Sequence, residues 1–291
     1  MKFARLASRV AVGGVSAALA TAGLVGITTT SASAAPVTST YSCVNPLATF
    51  PADVTVDIAL LPSTAKAGFP IPAGLLTFTS SFKIDNTTAG GLGLLGVTGG
   101  KSDDFGTAFG ATVAPAPVVW NTASSDATHT TFSGSGANAA FTLPEAGSYT
   151  VTLPKSFTLQ GTNASGQPVA GATAACSAAS PATLGTITLD KQVGTVTAKG
   201  PKSVKVGKSV TIKGKVTNEF VKTGGPAVTG KLVIKDGNKT VAKGKVGKNG
   251  KYKIVVKNLK VGSHKLVVQY KGDGYTAKAK AKAVKVSVTK K

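Results

Sequence analysis

The sequence predicts an all-β protein built from two antiparallel β-sandwich domains, and three observations carry that prediction. Apolar and polar residues alternate with period two over many short runs, the pattern of strands with one face in water. The 35 glycines and 14 prolines fall mostly between those runs, where turns belong. Charge then divides the chain. From Ala35 to Asp190 there are four lysines and eight acids, whereas from Lys191 to Lys291 there are 26 lysines and three acids. Two bodies with such different surfaces predict two domains.

The first element is a leader. Lys2, Arg5 and Arg9 precede an uncharged apolar run from Val10 to Ile27, and Ala32-Ser33-Ala34 supplies an A-x-A site. This order predicts a secretory signal peptide over 1–34, cut after Ala34. An uncleaved membrane anchor is the alternative, since the run approaches spanning length. The glycines within it and the A-x-A site favour cleavage, and no second long apolar run predicts a transmembrane anchor in the mature chain.

The first domain is predicted over 35–180. Val54, Val56 and Ile58 alternate with Thr55 and Asp57. Leu76 to Ile84 is a second strand, with Leu76, Phe78 and Phe82 in the core. Gly90 to Gly100 reads as a glycine-rich loop. Val118 to Trp120, Phe132, Phe141 with Leu143, Tyr149 to Leu153 and Ser156 to Gln160 mark later strands. In an oxidising compartment the pair Cys43 and Cys176 reads as one disulfide joining the start of this domain to its end. Two free buried thiols are the alternative. No His or second Cys lies near either, so no metal site is expected.

Ser177 to Gly185 is small and polar with one proline, so a linker is predicted over 181–192, with Thr186 to Leu189 a possible strand start. The second domain is predicted over 193–291. Val210, Ile212, Gly214 and Val216, then Leu232 and Ile234, then Tyr252, Ile254 and Val256, then Leu266, Val268 and Tyr270 each form an apolar face backed by lysines. Asp236-Gly237 and Asn249-Gly250 lie where tight turns want positive φ. Near the end, Ala277, Ala279, Ala281 and Ala283 hand the apolar phase to Val284, Val286 and Val288. One added residue there predicts a bulge or strand switch.

The second domain resembles the bacterial immunoglobulin-like repeats of secreted and surface proteins. The matching residues are Val228 to Gly237, Leu259 to Leu266 and Tyr270-Lys271-Gly272-Asp273-Gly274-Tyr275, the last similar to a Y-x-G-D-x-x-[FY] hallmark before the final strand but one position shorter. That resemblance implies a sandwich of six or seven strands. The first domain resembles an uncharacterised domain of secreted actinobacterial proteins, through Tyr41-Ser42-Cys43, Cys176 and Val54-Thr55-Val56. That family brings no known activity.

Catalytic-looking strings carry little. Gly91 to Gly96 matches G-x-G-x-x-G by letters, without the strand before and helix after that a pyrophosphate needs. Asp103 and Asp104 read as a solvated turn. Asp126 and Glu145 are the acids that could join them in space. His129 and His264 pair with no recognisable nucleophile. The sequence therefore predicts no enzyme, no cofactor and no resident metal. Trp120, the sole tryptophan, is a candidate sugar-stacking platform if exposed and a core residue if buried. An exposed Trp120 would make the protein a carbohydrate-binding or hydrolase-accessory module.

The lysines define the other candidate site. Lys213, Lys215, Lys231, Lys235, Lys251, Lys253, Lys265, Lys278, Lys280 and Lys282 are predicted to face water and to attract anionic polymers of a cell envelope or matrix. No arginine follows Arg9, so the bidentate forks that read phosphates and bases with geometric specificity are missing. Sequence-specific nucleic-acid recognition is not expected. The alternative role is a solubility coat that keeps strand edges apart.

Overall fold

The computed structural model describes residues 35–58 and 61–290. The expected leader lies outside the described residues. The first domain contains β1 (Val37–Asn45), β2 (Ala48–Ile58), β3 (Thr64–Lys66), β4 (Pro70–Ile71), β5 (Thr77–Asp85), a helix α1 (Asn86–Leu94), β6 (Gly99–Ser102), β7 (Gly106–Phe109), β8 (Thr112–Pro115), β9 (Val118–Ser125), β10 (His129–Ala137), β11 (Phe141–Thr142), β12 (Gly147–Thr152), β13 (Ser156–Thr162), β14 (Pro168–Ser177) and β15 (Thr183–Asp190). The second contains β16 (Thr195–Lys199), β17 (Ser203–Lys205), β18 (Val210–Thr217), β19 (Lys231–Asp236), β20 (Lys239–Lys245), β21 (Lys251–Val256), β22 (Gly262–Tyr270), β23 (Ala279–Lys280) and β24 (Val284–Thr289).

The protein is all-β and layered, as the alternation predicts, and the first domain adds a closure. Eight strands pair in the ring β1-β14-β13-β6-β9-β10-β5-β2, with β2 returning to β1. A five-stranded sheet, β3-β15-β12-β7-β8, shares its core. Strand alternation puts Val54, Val56, Phe82, Trp120 and Leu159 inside the ring domain and Thr55, Asp57 and Thr158 at least partly in water. Cys43 and Cys176 face each other in register across the β1–β14 seam and are joined by a disulfide, both fully covered. Only three residue pairs hold that seam, as few as on either side of β6, so the covalent link reinforces one of the ring's short ladders.

Two expectations are corrected. Gly90 to Gly100 is not one loop: Asn86–Leu94 forms a helix and Gly99–Ser102 a strand. The Asp85 carboxylate starts the helix by accepting the Thr88 N–H at 2.8 Å and the Thr88 hydroxyl at 2.6 Å. Those bonds hold Asp85 below its ordinary pKa. The cap works against three interior glycines, each costing about 1 kcal/mol relative to alanine. Nor is 181–192 a linker. Thr183–Asp190 is a strand paired along β12 and β3, and it buries Leu184, Ile187 and Leu189. The small polar residues at 177–182 hid this edge of the first domain.

The second domain is a sandwich of β16-β18-β21 against β17-β24-β22-β19-β20, with β23 also on β22. Its core lies between the sheets and includes Val210, Ile212, Val216, Ile254, Leu232, Ile234, Leu266 and Val268. Gly214 interrupts the apolar face of β18 because the Tyr252 hydroxyl crosses it to reach the Thr197 carbonyl at 2.6 Å. A Cβ at Gly214 would sit 2.5 Å from that hydroxyl and 1.9 Å from the carbonyl. The parity break is present: β22 pairs Leu266 with Val284 but Gln269 with Lys280, which leaves one extra residue on the outer strand. The β19–β20 loop is Gly237-Asn238, one residue beyond the expected dipeptide. Asn249 and Gly250 do take positive φ, but they carry the chain from one sheet to the other rather than closing a hairpin.

The domains meet through Gln192, which is fully buried. Its amide donates to the Ala67 carbonyl at 2.7 Å and accepts from the Phe220 N–H at 3.1 Å, while its backbone bonds Tyr275 and Ala277. Phe69 meets Phe220 edge to face at 5.0 Å. Ala146 N–H reaches the Gly274 carbonyl at 3.0 Å. A Gln192→Ala change strands the buried Ala67 carbonyl and the partly buried Phe220 N–H, so it is expected to cost about 2–3 kcal/mol in denaturant unfolding. A loss below about 0.5 kcal/mol, the range of ordinary surface changes, would show that the junction is held elsewhere.

Candidate polyanion surface on the second domain

Strand register builds the site. In the sheet β16-β18-β21, residues whose neighbours face the core must themselves face water. Ile212 and Ile254 point in, so Lys213, Lys215, Lys251 and Lys253 point out, and all four are exposed. Register then sets them side by side. Lys199, Lys213 and Lys253 form one row across the three strands, and Thr197, Lys215 and Lys251 form the next. Neighbouring strands lie about 4.8 Å apart and alternate residues about 7 Å apart along a strand, so five ammonium groups share one small face.

The outer face of the other sheet is lysine-bearing but broken. Lys231 pairs with Lys245, and Lys265 with Lys285. Val233, Val267 and Gln269 stand among them, and Lys235 is only half exposed. Lys278, Lys280 and Lys282 are exposed around β23. The ten lysines expected from the sequence therefore divide into a dense face, a diluted face and a loop cluster.

Neutralisation is missing from both faces. Among the described residues, no lysine of the second domain forms an ion pair with a carboxylate; the two lysine bridges, Lys66–Asp190 and Lys101–Asp103, lie in the first domain. The second domain has three acids, and each is engaged away from the dense face. Asp273 accepts from Thr229 N–H at 2.9 Å, Tyr275 N–H at 2.9 Å and Thr276 N–H at 2.7 Å, which pins the hallmark loop. Burial pushes its pKa up, and these hydrogen bonds outweigh burial and hold it below the ordinary value. Glu219 accepts from Val193 N–H at 3.2 Å. Asp236 accepts from Lys265 N–H at 3.1 Å and from His264.

His264 donates through both ring nitrogens, Nδ1 to Asp236 at 2.5 Å and Nε2 to the Lys260 carbonyl at 2.8 Å. Two acceptors require the doubly protonated ring. The Asp236 side chain first, and the Lys260 carbonyl second, raise the His264 pKa above its ordinary 6.5. Because the folded pKa is the higher one, this pair stabilises fully below about pH 6.5 and loses its contribution as pH rises through the folded value. An NMR titration of the His264 ring is expected to show a midpoint above 6.5, and His264→Gln should flatten the stability profile of the domain over that window. A midpoint at or below 6.5 would contradict the geometry.

The remaining candidates are dispersed. Trp120 is 1% exposed, and its indole N–H donates to Ser80 Oγ at 3.1 Å. It packs near Phe82, Phe105 and Phe157. A covered indole offers no face to a sugar ring, so the stacking role assigned to Trp120 is withdrawn. Asp104 accepts from Thr158 N–H, Thr158 Oγ1 and Ser102 Oγ, which together overcome burial and lower its pKa. Asp126 caps the turn before β10 through Thr128 and His129. Glu145 approaches Gly274 at the domain junction. These carboxylates support separate local structures. Among the described residues, no group of three or more His, Cys, Asp or Glu could hold a metal ion, and no helix is long and apolar enough to cross a membrane.

Lys199 belongs to the dense row although the sequence reading passed over it. The short alternation Val196–Ala198 was its only signal, and its place beside Lys213 depends on pairing across 13 intervening positions.

Comparison with known proteins places both domains. Residues 40–185, half of the chain, match the family of unknown function DUF6801. The chain belongs to that family. Residues 196–289 match the bacterial Ig-like domain (group 3), so this family member carries an Ig-like module whose sandwich is the second domain described above. No curated protein matches the chain. Among solved structures, the D0-D1 domain of Intimin is 12% identical, covers 87% of this chain and 100% of its own, and has a TM-score of 0.23. The D00-D0 domain of Intimin is 14% identical over 80% of this chain and 98% of its own, with a TM-score of 0.23. The BSP domain of a biofilm associated protein is 8% identical over 91% of this chain and 53% of its own, with a TM-score of 0.26. Scores this low carry no argument about function.

Proposed function

We infer that this is an exported, non-enzymatic binding protein whose Ig-like domain attaches it to anionic polymers of a cell envelope or extracellular matrix. One observation carries the reading: five lysines stand in two registered rows on one exposed sheet, with no carboxylate among them. Like charges directly opposite each other across strands destabilise a sheet. An acidic chain laid across the rows would relieve that repulsion and release its own counterions.

Export is supported by the leader-like sequence at 1–34 and by the disulfide, since such links persist in oxidising compartments. Attachment by lysine is forgiving of the partner's structure. Ammonium groups on flexible stems act as mobile point charges, so the surface selects for charge density rather than for a particular sugar or base.

The test is sedimentation of the full chain with isolated envelope at graded salt. Binding at low salt that is released as salt rises supports attachment. A protein that stays in the supernatant at every salt concentration has a solubility coat instead.

A further inference from the structure

We propose that a cleft where the two domains meet is a binding site for a neutral saccharide. The cleft offers about 530 Å³ beside the loop between β18 and β19. Small-molecule sites span roughly 300–1,000 Å³ and favour domain interfaces. The first domain lines it with Thr112, Thr142, Glu145 and Tyr149, and the second with Pro226 and Tyr275. Neither domain holds the site alone. The junction contacts of Gln192 and Phe220 keep the two walls together.

Glu145 is fixed in place without its carboxylate being used. Its backbone carbonyl accepts the Tyr149 hydroxyl at 2.8 Å, and the next residue, Ala146, donates to the Gly274 carbonyl at 3.0 Å. The carboxylate rests against the Gly274 backbone, where a Cβ would collide with it. Among the described residues it accepts no hydrogen bond and forms no ion pair. Both oxygens are therefore free for a ligand, in a chain whose net charge is +22.

The other lining groups define the occupant. No basic side chain lines the cleft, so nothing there holds an anion. The Tyr149 and Tyr275 rings are half-buried, and Gly110 and Gly147 beside the Tyr149 ring carry no side chain to cover it. Rings with an apolar body and a polar tip suit a ligand with one C–H face and hydroxylated edges. The hydroxyls of Thr112, Thr142 and Tyr275 have no hydrogen-bond partner among the described residues. Burial first, and the Glu145 charge second, raise the Tyr275 pKa, so its hydroxyl stays protonated and can donate. An ammonium ligand would use the carboxylate, leave those three hydroxyls idle and be repelled by the chain's net charge. A polyol uses all four groups: its hydroxyls donate to Glu145 in charge-assisted bonds and exchange bonds with Thr112, Thr142 and Tyr275.

The test is an array of neutral oligosaccharides built from hexose and N-acetylhexosamine units, probed with the full chain through an affinity tag. Salt of about 0.5 M screens the lysines, so the result does not depend on polyanion attachment, which is read at low salt. Saturable binding to one class of these glycans is expected. Thr112→Trp, which brings an indole into the cleft from an exposed position, should abolish it. Glu145→Ala should weaken it about tenfold to a hundredfold, and Tyr275→Phe about threefold to tenfold. Because the Glu145 carboxylate has no partner in the fold, Glu145→Ala should leave the melting temperature unchanged. If Thr112→Trp fails to fold, Glu145→Ala decides. Lysine methyl ester, titrated by calorimetry in parallel, is the cationic alternative. Saturable binding of the ester with no glycan bound would make the cleft an ammonium site and overturn the proposal. So would a natural chain that binds no glycan, glycan binding that the folded variants leave unchanged, or binding that Glu145→Ala removes only by lowering the melting temperature.

Discussion

Replacing Lys199, Lys213, Lys215, Lys251 and Lys253 together by glutamine is expected to weaken binding to long-chain polyphosphate by about a thousandfold to ten-thousandfold near physiological salt, taking roughly 1 kcal/mol per lysine near an anionic surface. The five project from one sheet in two rows, and none has a carboxylate partner. The change should not unfold the domain. Lys213 faces Lys253 and Lys215 faces Lys251 across strands, so removing these like charges relieves repulsion of a few tenths to about 1 kcal/mol per pair. Lost binding with equal or greater thermal stability would be the signature. The corresponding change at Lys278, Lys280 and Lys282 should weaken binding less, because those lysines cluster near a short strand and not in registered rows. Equal effects per lysine removed would mean that total charge matters and the rows do not. Isothermal titration of both variants decides between these.

Breaking the disulfide should have the largest effect on stability. Cys43 and Cys176 are 133 residues apart in sequence and close the seam of the ring. A loop of that length corresponds to as much as about 5 kcal/mol in the chain-entropy account. For a domain of this size the melting temperature should fall by about 10–20 °C. The double change Cys43→Ala and Cys176→Ala avoids a stray thiol and isolates the link. Calorimetry should show the transition of the first domain moving while that of the second stays. A shift of less than about 2 °C would mean that the strand ladder closes the ring without help.

Both effects trace to features with different visibility in the sequence. The lysine faces were legible because a strand's period of two is local: Lys251 and Lys253 flank Tyr252 and Ile254 within one strand, and burial of the latter fixes the former. The parity break before Val284 was legible for the same reason, since a single inserted residue leaves its mark in consecutive letters. Register is not local. Nothing near Lys199 says that it lies beside Lys213, and nothing near Gln192 says that its amide bridges Ala67 and Phe220.

The first domain resisted for related reasons. Closure of the ring requires β1 to pair with β14, more than a hundred positions away. The cysteines were the only letters that pointed there. Helix α1 was misread because three glycines outweigh its one clear signal, the Asp85–Thr88 cap. Trp120 could be read either way until its neighbours were known; burial beside Phe82, Phe105 and Phe157 removes it from sugar recognition and makes it a core residue.

The most direct test of electrostatic attachment is the salt dependence of the full chain's affinity for polyphosphate. If the lysine rows displace counterions, log K falls linearly with log salt, with a slope near −0.7 to −0.9 for each phosphate engaged, or about −3.5 to −4.5 when all five lysines of the dense face are in contact. The five-lysine variant should flatten that line. An affinity that does not change with salt, or a variant whose slope equals that of the natural chain, would contradict the account.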